Sequence, residues 1–373
     1  MSIHSRFNST ALATALVVAF AASGTLAHAA DMPIKAAPVA APFFLVNDNS
    51  VSFTYFPGST DPGIYGATYN PRYQFDLTHF DVNRWGTNFI DFNFQQYGKK
   101  DPVVSMYGAQ GSEEADALVR NTLSGNAFLG KGFFSNYITK DISLAYGGLF
   151  VVVDNLLAPQ THQYDIGAQF TLNLPGTVNL SVYAQKETHH VTQDSICPAG
   201  IFGTFYTPPV GTPSASQFAC PYTGDQNFKW APRLELVILE PLTFLPTWLP
   251  MSWNSFTGVT FPKGTGLSAS NAAAMQVSAV PGGPPGWCFQ GGNNPSNQCS
   301  TETKTEVFSE NRLVLDIGKM YWNRAGLWEG FVGYRYWSNK FGTDHNAGVF
   351  TVLAPNTSIE STAFFGTTYH FTN

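Results

Sequence analysis

His162-Gln-Tyr-Asp-Ile-Gly-Ala-Gln-Phe-Thr-Leu-Asn-Leu174, Pro175-Gly176 and Thr177-Val-Asn-Leu-Ser-Val-Tyr-Ala-Gln-Lys-Glu187 form one continuous stretch that decides the fold. Before the Pro-Gly step, Tyr164, Ile166, Ala168, Phe170 and Leu172 share one parity; Gln163, Asp165, Gly167, Gln169 and Thr171 share the other. After it, Val178, Leu180, Val182 and Ala184 alternate with Asn179, Ser181, Tyr183, Gln185 and Glu187. Successive side chains of a strand point to opposite faces, so each half has one apolar and one polar face. A connection as short as Pro175-Gly176 joins two strands only as an antiparallel hairpin.

Outward from the hairpin the alternation recurs. Further strands are expected at about 50–56, 71–82, 85–98, 115–124, 139–152, 228–240, 251–262, 303–317, 327–340 and 359–371. Tyr73, Phe75 and Leu77 oppose Arg72, Gln74, Asp76 and Thr78; Ile90, Phe92 and Phe94 oppose Asp91, Asn93 and Gln95. Near the end, Ala363, Phe365, Tyr369 and Phe371 oppose Glu360, Thr362, Thr368 and His370. The strand at 139–152 is the least defined, because Leu149 to Val153 is continuously apolar. Connections after the first, third, seventh, ninth and eleventh strands are long, and those after the second and sixth are a few residues. The segment after the fourth, about fourteen residues, breaks this alternation.

Composition selects among β-architectures. Charged residues are 12% of the chain, half the share of about 25% found in ordinary soluble domains. Aromatics reach 15%, and mean hydropathy is −0.07, so the chain is apolar at alternate positions rather than throughout. An antiparallel β-barrel of about twelve strands in an outer membrane requires this balance: apolar residues toward lipid, polar residues toward the lumen, and aromatic girdles at both interfaces. Its short turns would face the periplasm and its long loops, 189–227 and 263–302, the outside. A net charge of −6 argues against nucleic acid as a partner.

The N-terminus fits export. Ala11 to Gly24 is an apolar run, and Ala27-His28-Ala29 has the small-x-small cleavage pattern. The run is shorter than the about 20 residues of a membrane span, so 1–29 reads as a signal peptide cleaved after Ala29, with Ala30 the second choice. The Pro/Ala-rich segment 30–48 reads as a periplasmic lead, and 49–373 as the barrel. Cys197 with Cys220 and Cys288 with Cys299 each bracket part of a long loop. Four cysteines in an exported chain suggest two local disulfides, and no Cys-x-x-Cys spacing points to a metal.

Several stretches resemble the nucleoside-specific channel-forming family of outer-membrane proteins, in its divergent "outer envelope protein" branch. They are Leu77-Thr78-His79-Phe80 leading into Trp85-Gly86-Thr87-Asn88-Phe89, Lys100-Asp101-Pro102, Val332-Gly333-Tyr334-Arg335-Tyr336-Trp337-Ser338-Asn339-Lys340-Phe341-Gly342, and Tyr369-His370-Phe371. The resemblance runs from about residue 50 to the end. It implies a monomeric twelve-stranded barrel with a narrow lumen that passes nucleosides. Against that pattern, the two long loops read as insertions. The closing aromatic residues also resemble the signal by which barrel-assembly machinery recognises its clients.

The lumen parity collects the candidate site: Asp76, Asp91, Asn93, Asp165, Gln169, Arg233, Glu235, Glu310, Arg312 and Arg335 as polar pore lining, with Phe89, Tyr183 and Trp337 as faces on which a flat base could stack. The plainer reading is that most of these charges pair with one another across the lumen. His189-His190 with Asp194 makes a poor metal site, since adjacent strand residues point apart. No Gly-x-Ser-x-Gly motif supports hydrolysis, so neither an enzyme nor a cofactor is expected. The expectation is passive uptake of small polar solutes, nucleosides in particular. The alternatives are a surface barrel acting through clipped loops, and a soluble periplasmic β-protein.

Overall fold

The computed structural model describes residues 43–62, 69–100, 111–154, 159–191, 225–264, 302–343, 345–346 and 356–371. The strands in chain order are β1 (Phe44–Ser59), β2 (Asn70–Asn83), β3 (Gly86–Tyr97), β4 (Glu113–Ser124), β5 (Thr139–Val153), β6 (Pro159–Leu172) and β7 (Thr177–Val191). They continue with β8 (Asp225–Asn227), β9 (Ala231–Pro241), β10 (Met251–Thr260), β11 (Glu306–Asp316), β12 (Trp328–Ser338) and β13 (Ile359–His370). Sequence neighbours pair antiparallel throughout, β7 pairs with β9, and β13 pairs back onto β1. The result is a closed antiparallel barrel of twelve strands, with three-residue β8 added beside the end of β7. Closure leaves the sheet without an edge.

The twelve expected strands are the twelve of the ring, and boundaries shift by a few residues. β1 is the largest change: it starts at Phe44 rather than near 50, so the last residues given to the lead segment are strand. The apolar run Leu149 to Val153 is a true strand, with Leu149, Val151 and Val153 inward and Phe150 and Val152 outward by register with β4. β8 had no signal in the sequence, being three residues inside a loop. The segment after β4, residues 125–138, is as long as expected and does break the alternation of lengths, but it is ordered. It holds a short helix, Gly125–Leu129, whose start is capped by the Ser124 hydroxyl accepting from the Ala127 N–H. A second short helix, Ile317–Trp322, is capped by Asp316 accepting from Lys319 N and also from Gly326 N, both at 2.8 Å.

Two glycines are fixed by geometry. Gly176 closes the β6–β7 turn at φ 67°, in the left-handed region. Gly333 on β12 faces inward, and a Cβ there would lie 2.3 Å from the Phe364 ring and 2.5 Å from the Asn311 carbonyl oxygen. The Phe364 ring covers the glycine, as aromatic side chains do where a sheet curves.

Outside and inside differ sharply. Outward Val332, Phe365 and Phe53 are 58%, 56% and 49% exposed. Inward Arg72, Gln185 and Glu360 are 1%, 1% and 0% exposed. Aromatic side chains crowd the short-turn end, where Trp85 stacks on Phe128 at 5.2 Å and Trp322 on Trp328 at 5.6 Å, and Tyr137 and Phe244 stand almost fully exposed. Tyr69 and Trp230 are exposed at the opposite end. The cysteines Cys197, Cys220, Cys288 and Cys299 lie outside the described residues, as does Asp194.

Candidate functional site

Every predicted pore-lining residue has the lumen parity that its strand imposes. Around them the lumen organises into three polar groups.

The first is a bridge. Arg120 on β4 donates from Nη2 to Glu235 Oε1 at 2.7 Å and from Nε to Glu235 Oε2 at 3.0 Å, and its Nη2 lies 3.1 Å from Asp165 Oδ2. Glu235 is on β9, with β5, β6 and β7 standing between it and β4. The side chain therefore spans a chord of the lumen. Gly147 and Gly167, inward on β5 and β6 near it, carry no side chain to obstruct the crossing. Arg233 Nε adds a bond to Glu235 Oε1 at 2.8 Å, and Tyr183 packs its ring 5.8 Å from the Arg120 guanidinium. A buried carboxylate needs this density of donors to offset the water it has lost.

The second group is cationic and built on aromatic rings. Glu310 accepts from Arg312 Nε and Arg335 Nε, each at 2.7 Å. Glu360 takes Arg72 at 3.3 Å and Lys340 at 2.9 Å. Arg72 and Arg335 both lie over the Phe56 ring, at 4.2 and 4.3 Å, while Arg312 lies over Phe331 at 4.8 Å and Phe364 at 5.5 Å. Phe56, Val314, Phe331 and Phe364 form an apolar cluster on inward positions, which a strict polar-in rule does not anticipate. Their use is to seat guanidinium faces, which stack on rings more readily than an ammonium does.

The third group is the wall of β2, β3 and β4. Gln74 Nε2 donates to Asp76 Oδ1 and to Asn93 Oδ1, both at 2.7 Å. Asn93 Nδ2 and Thr78 Oγ1 donate to the two oxygens of Asp91, at 2.8 and 2.6 Å. Gln95 Nε2 donates to Glu114 Oε1 at 2.8 Å and Asp116 Oδ2 at 2.7 Å, and the Tyr97 hydroxyl reaches Glu114 Oε2 at 2.9 Å. Here carboxylates are held by neutral donors, not by direct ion pairs.

At the long-loop end, buried Lys263 pairs with Glu187 at 2.5 Å and lies 4.8 Å from the centre of the Phe228 ring, while His189 also contacts Glu187. Lys340, equally buried, donates to the Thr60 carbonyl at 2.6 Å. Each lysine thus ties the base of a long connection to a lumen glutamate.

The predicted residues divide accordingly. Asp165, Arg233, Glu235, Glu310, Arg312 and Arg335 are paired. Asp76, Asp91 and Asn93 belong to the neutral-donor wall. Gln169 accepts from the Ser181 hydroxyl at 3.4 Å. Tyr183 is 4% exposed, so its ring is no stacking surface. Phe89 and Trp337 are half-buried, and Trp337 donates from Nε1 to Glu306 at 2.6 Å. Arg72, Arg120, Glu114, Asp116, Glu187 and Glu360 also face the lumen; parity placed all of them but Glu114, which lies before the expected start of β4. Lys263 lies just beyond its strand, and Lys340, given outward parity by the expected strand 327–340, turns inward because β12 ends at Ser338.

No protein-family model matches this chain, and no curated protein matches it either. Solved structures are similar in outline. The translocator domain of the autotransporter NalP from Neisseria meningitidis is 8% identical and matches 87% of this chain and 89% of that one, with a TM-score of 0.35. The beta domain of the Bordetella autotransporter BrkA is 9% identical over 88% of this chain and all of that one, TM-score 0.32. Pseudomonas aeruginosa OccK5 (OpdH) is 7% identical over 89% of this chain and all of that one, TM-score 0.23. Likenesses this loose identify no family and no function.

Proposed function

We propose that this protein is an outer-membrane channel for passive passage of small polar solutes. The observation that carries the reading is the inverted distribution of polarity in a closed ring. Outward Val332 and Phe365 are more than half exposed, whereas inward arginines, glutamates and amides crowd the interior. In water such an exterior would be a contiguous apolar patch far beyond what soluble chains tolerate. In lipid it is the favourable surface, and a closed barrel leaves no backbone group unpaired there. Aromatic residues at both ends fit the two membrane interfaces. The short-turn end, where β1 begins and β13 ends, would face the periplasm.

Passage needs a lumen that admits water. Arg312, at the middle of β11 and facing inward, keeps 28% of its side chain exposed. Asp91, midway along β3, is likewise only half-buried. Nucleosides are the named solute to test. The sequence stretches quoted above support them, and Phe89 and Trp337 offer partly open rings for a base.

The test is purified, heat-modifiable barrel in a planar bilayer. Stepwise conductance is expected. A folded barrel that never conducts would overturn the reading and favour an interaction role for the loops. Adenosine should lower the current more than sucrose does. Equal effects would remove nucleosides and leave the channel.

A further inference from the structure

We propose that the β2–β4 wall of the lumen is a binding station for small organic cations, solutes carrying a protonated amine or a guanidinium group. The proposal rests on the channel reading but not on nucleosides as its solute.

The wall brings Asp76, Asp91, Glu114 and Asp116 together on three adjacent strands, and none of them has an arginine or lysine in ion-pair contact among the described residues. Its glutamine donors are spent. Both amide hydrogens of Gln74 go to Asp76 and Asn93, and both of Gln95 go to Glu114 and Asp116. A second observation is independent of the charges. Gln74 and Gln95 are 6% and 7% exposed, yet their Oε1 atoms have no hydrogen-bond partner among the described residues, and neither has Asp116 Oδ1. A buried amide carbonyl left without a donor is costly, and such groups ordinarily find one. Here acceptor oxygens accumulate beside carboxylates, and among the described residues the one unpartnered donor near them is the Arg72 Nε.

The complement of such a surface is a donor-rich cation. An ammonium group brings three N–H donors and no acceptor; a guanidinium brings five. A metal ion fits less well, because no group of three His, Cys, Asp or Glu side chains among the described residues has metal-holding geometry. The nearest cations act on the wall only through space: Arg312 from across the lumen on Asp76 and Asp91, and Arg72 from β2 itself on Glu114 and Asp116, none of them in ion-pair contact. Arg312 and Arg335 share Glu310, and Arg72 and Lys340 share Glu360. Half-buried Asp91 and Asp116 give a solute in the lumen access to the wall.

The experiment is single-channel recording of the full barrel in a planar bilayer, with 1,4-diaminobutane as probe, uncharged 1,4-butanediol as its isosteric control, and Mg2+ as a bare divalent ion. Current through the wild type should be cation-selective in a KCl gradient and blocked by the diamine at concentrations where the diol and Mg2+ have little effect. Asp91→Asn with Asp116→Asn should weaken the diamine block roughly tenfold or more, the loss of one charge-assisted contact. Equal block by diamine and diol, no block, or block by Mg2+ matching that by the diamine would each overturn the proposal. The comparison of the three probes on the wild type decides even if the variant fails to fold. A conducting barrel indifferent to the diamine sinks this inference alone, whereas a folded barrel without conductance sinks the channel reading.

Discussion

Arg120→Ala should both loosen and widen the barrel. The substitution removes two bonds to Glu235 at 2.7 and 3.0 Å and the contact with Asp165 at 3.1 Å. Asp165 is then left without its ion-pair partner, while Glu235 keeps Arg233 at 2.8 Å. Breaking a buried pair costs about 3–5 kcal/mol. Because one arginine remains on Glu235, the lower end applies, about 3 kcal/mol, or roughly a hundredfold in the ratio of folded to unfolded barrel. Urea unfolding of refolded protein, followed by the heat-dependent gel shift, measures this. The double-mutant cycle with Glu235→Gln isolates the bridge and should return a coupling of about 1–3 kcal/mol. The same variant should raise single-channel conductance, because the chord between β4 and β9 no longer divides the lumen. A coupling below about 0.5 kcal/mol together with unchanged conductance would refute the bridge as a cross-lumen element.

Val332→Arg places a guanidinium at the middle of β12 on the outward face, where Val332 is 58% exposed. In a membrane this should cost about 2–4 kcal/mol in the same unfolding assay, whereas a soluble barrel would tolerate it without loss. Gly333→Val should prevent the native gel shift at temperatures the wild type survives, since its Cβ alone would come within 2.3 Å of the Phe364 ring; an unchanged shift would mean that the ring moves aside freely. Peptide mapping without reductant should recover Cys197–Cys220 and Cys288–Cys299 as the two links, each stabilising its loop by about 3 kcal/mol. Links between the loops, or free thiols, would count against local pairing.

Alternation was enough for the architecture. A side chain's face on a strand follows from its parity alone, so the sequence by itself determined twelve strands, the antiparallel hairpin through the Pro175-Gly176 turn, and which strand residues share the inward face. It did not place β8 or the exact start of β1, where few residues carry the pattern. Parity also cannot say which inward residue meets which. That Arg120 crosses to Glu235 depends on ring closure, which brings β4 and β9 face to face over inward glycines. That Phe56 sits between Arg72 and Arg335 depends on the register between β1, β2, β12 and β13. Lys263 and Lys340 were missed for a different reason: Lys263 stands past the expected strand end, and Lys340, which the expected strand 327–340 put on the outward parity, lies beyond Ser338, where β12 ends and the loop backbone turns it inward. The division between paired charges and the acceptor-rich wall of Asp76, Asp91, Glu114 and Asp116 is likewise tertiary, because ion pairing acts over a few ångströms and only the folded barrel fixes those distances.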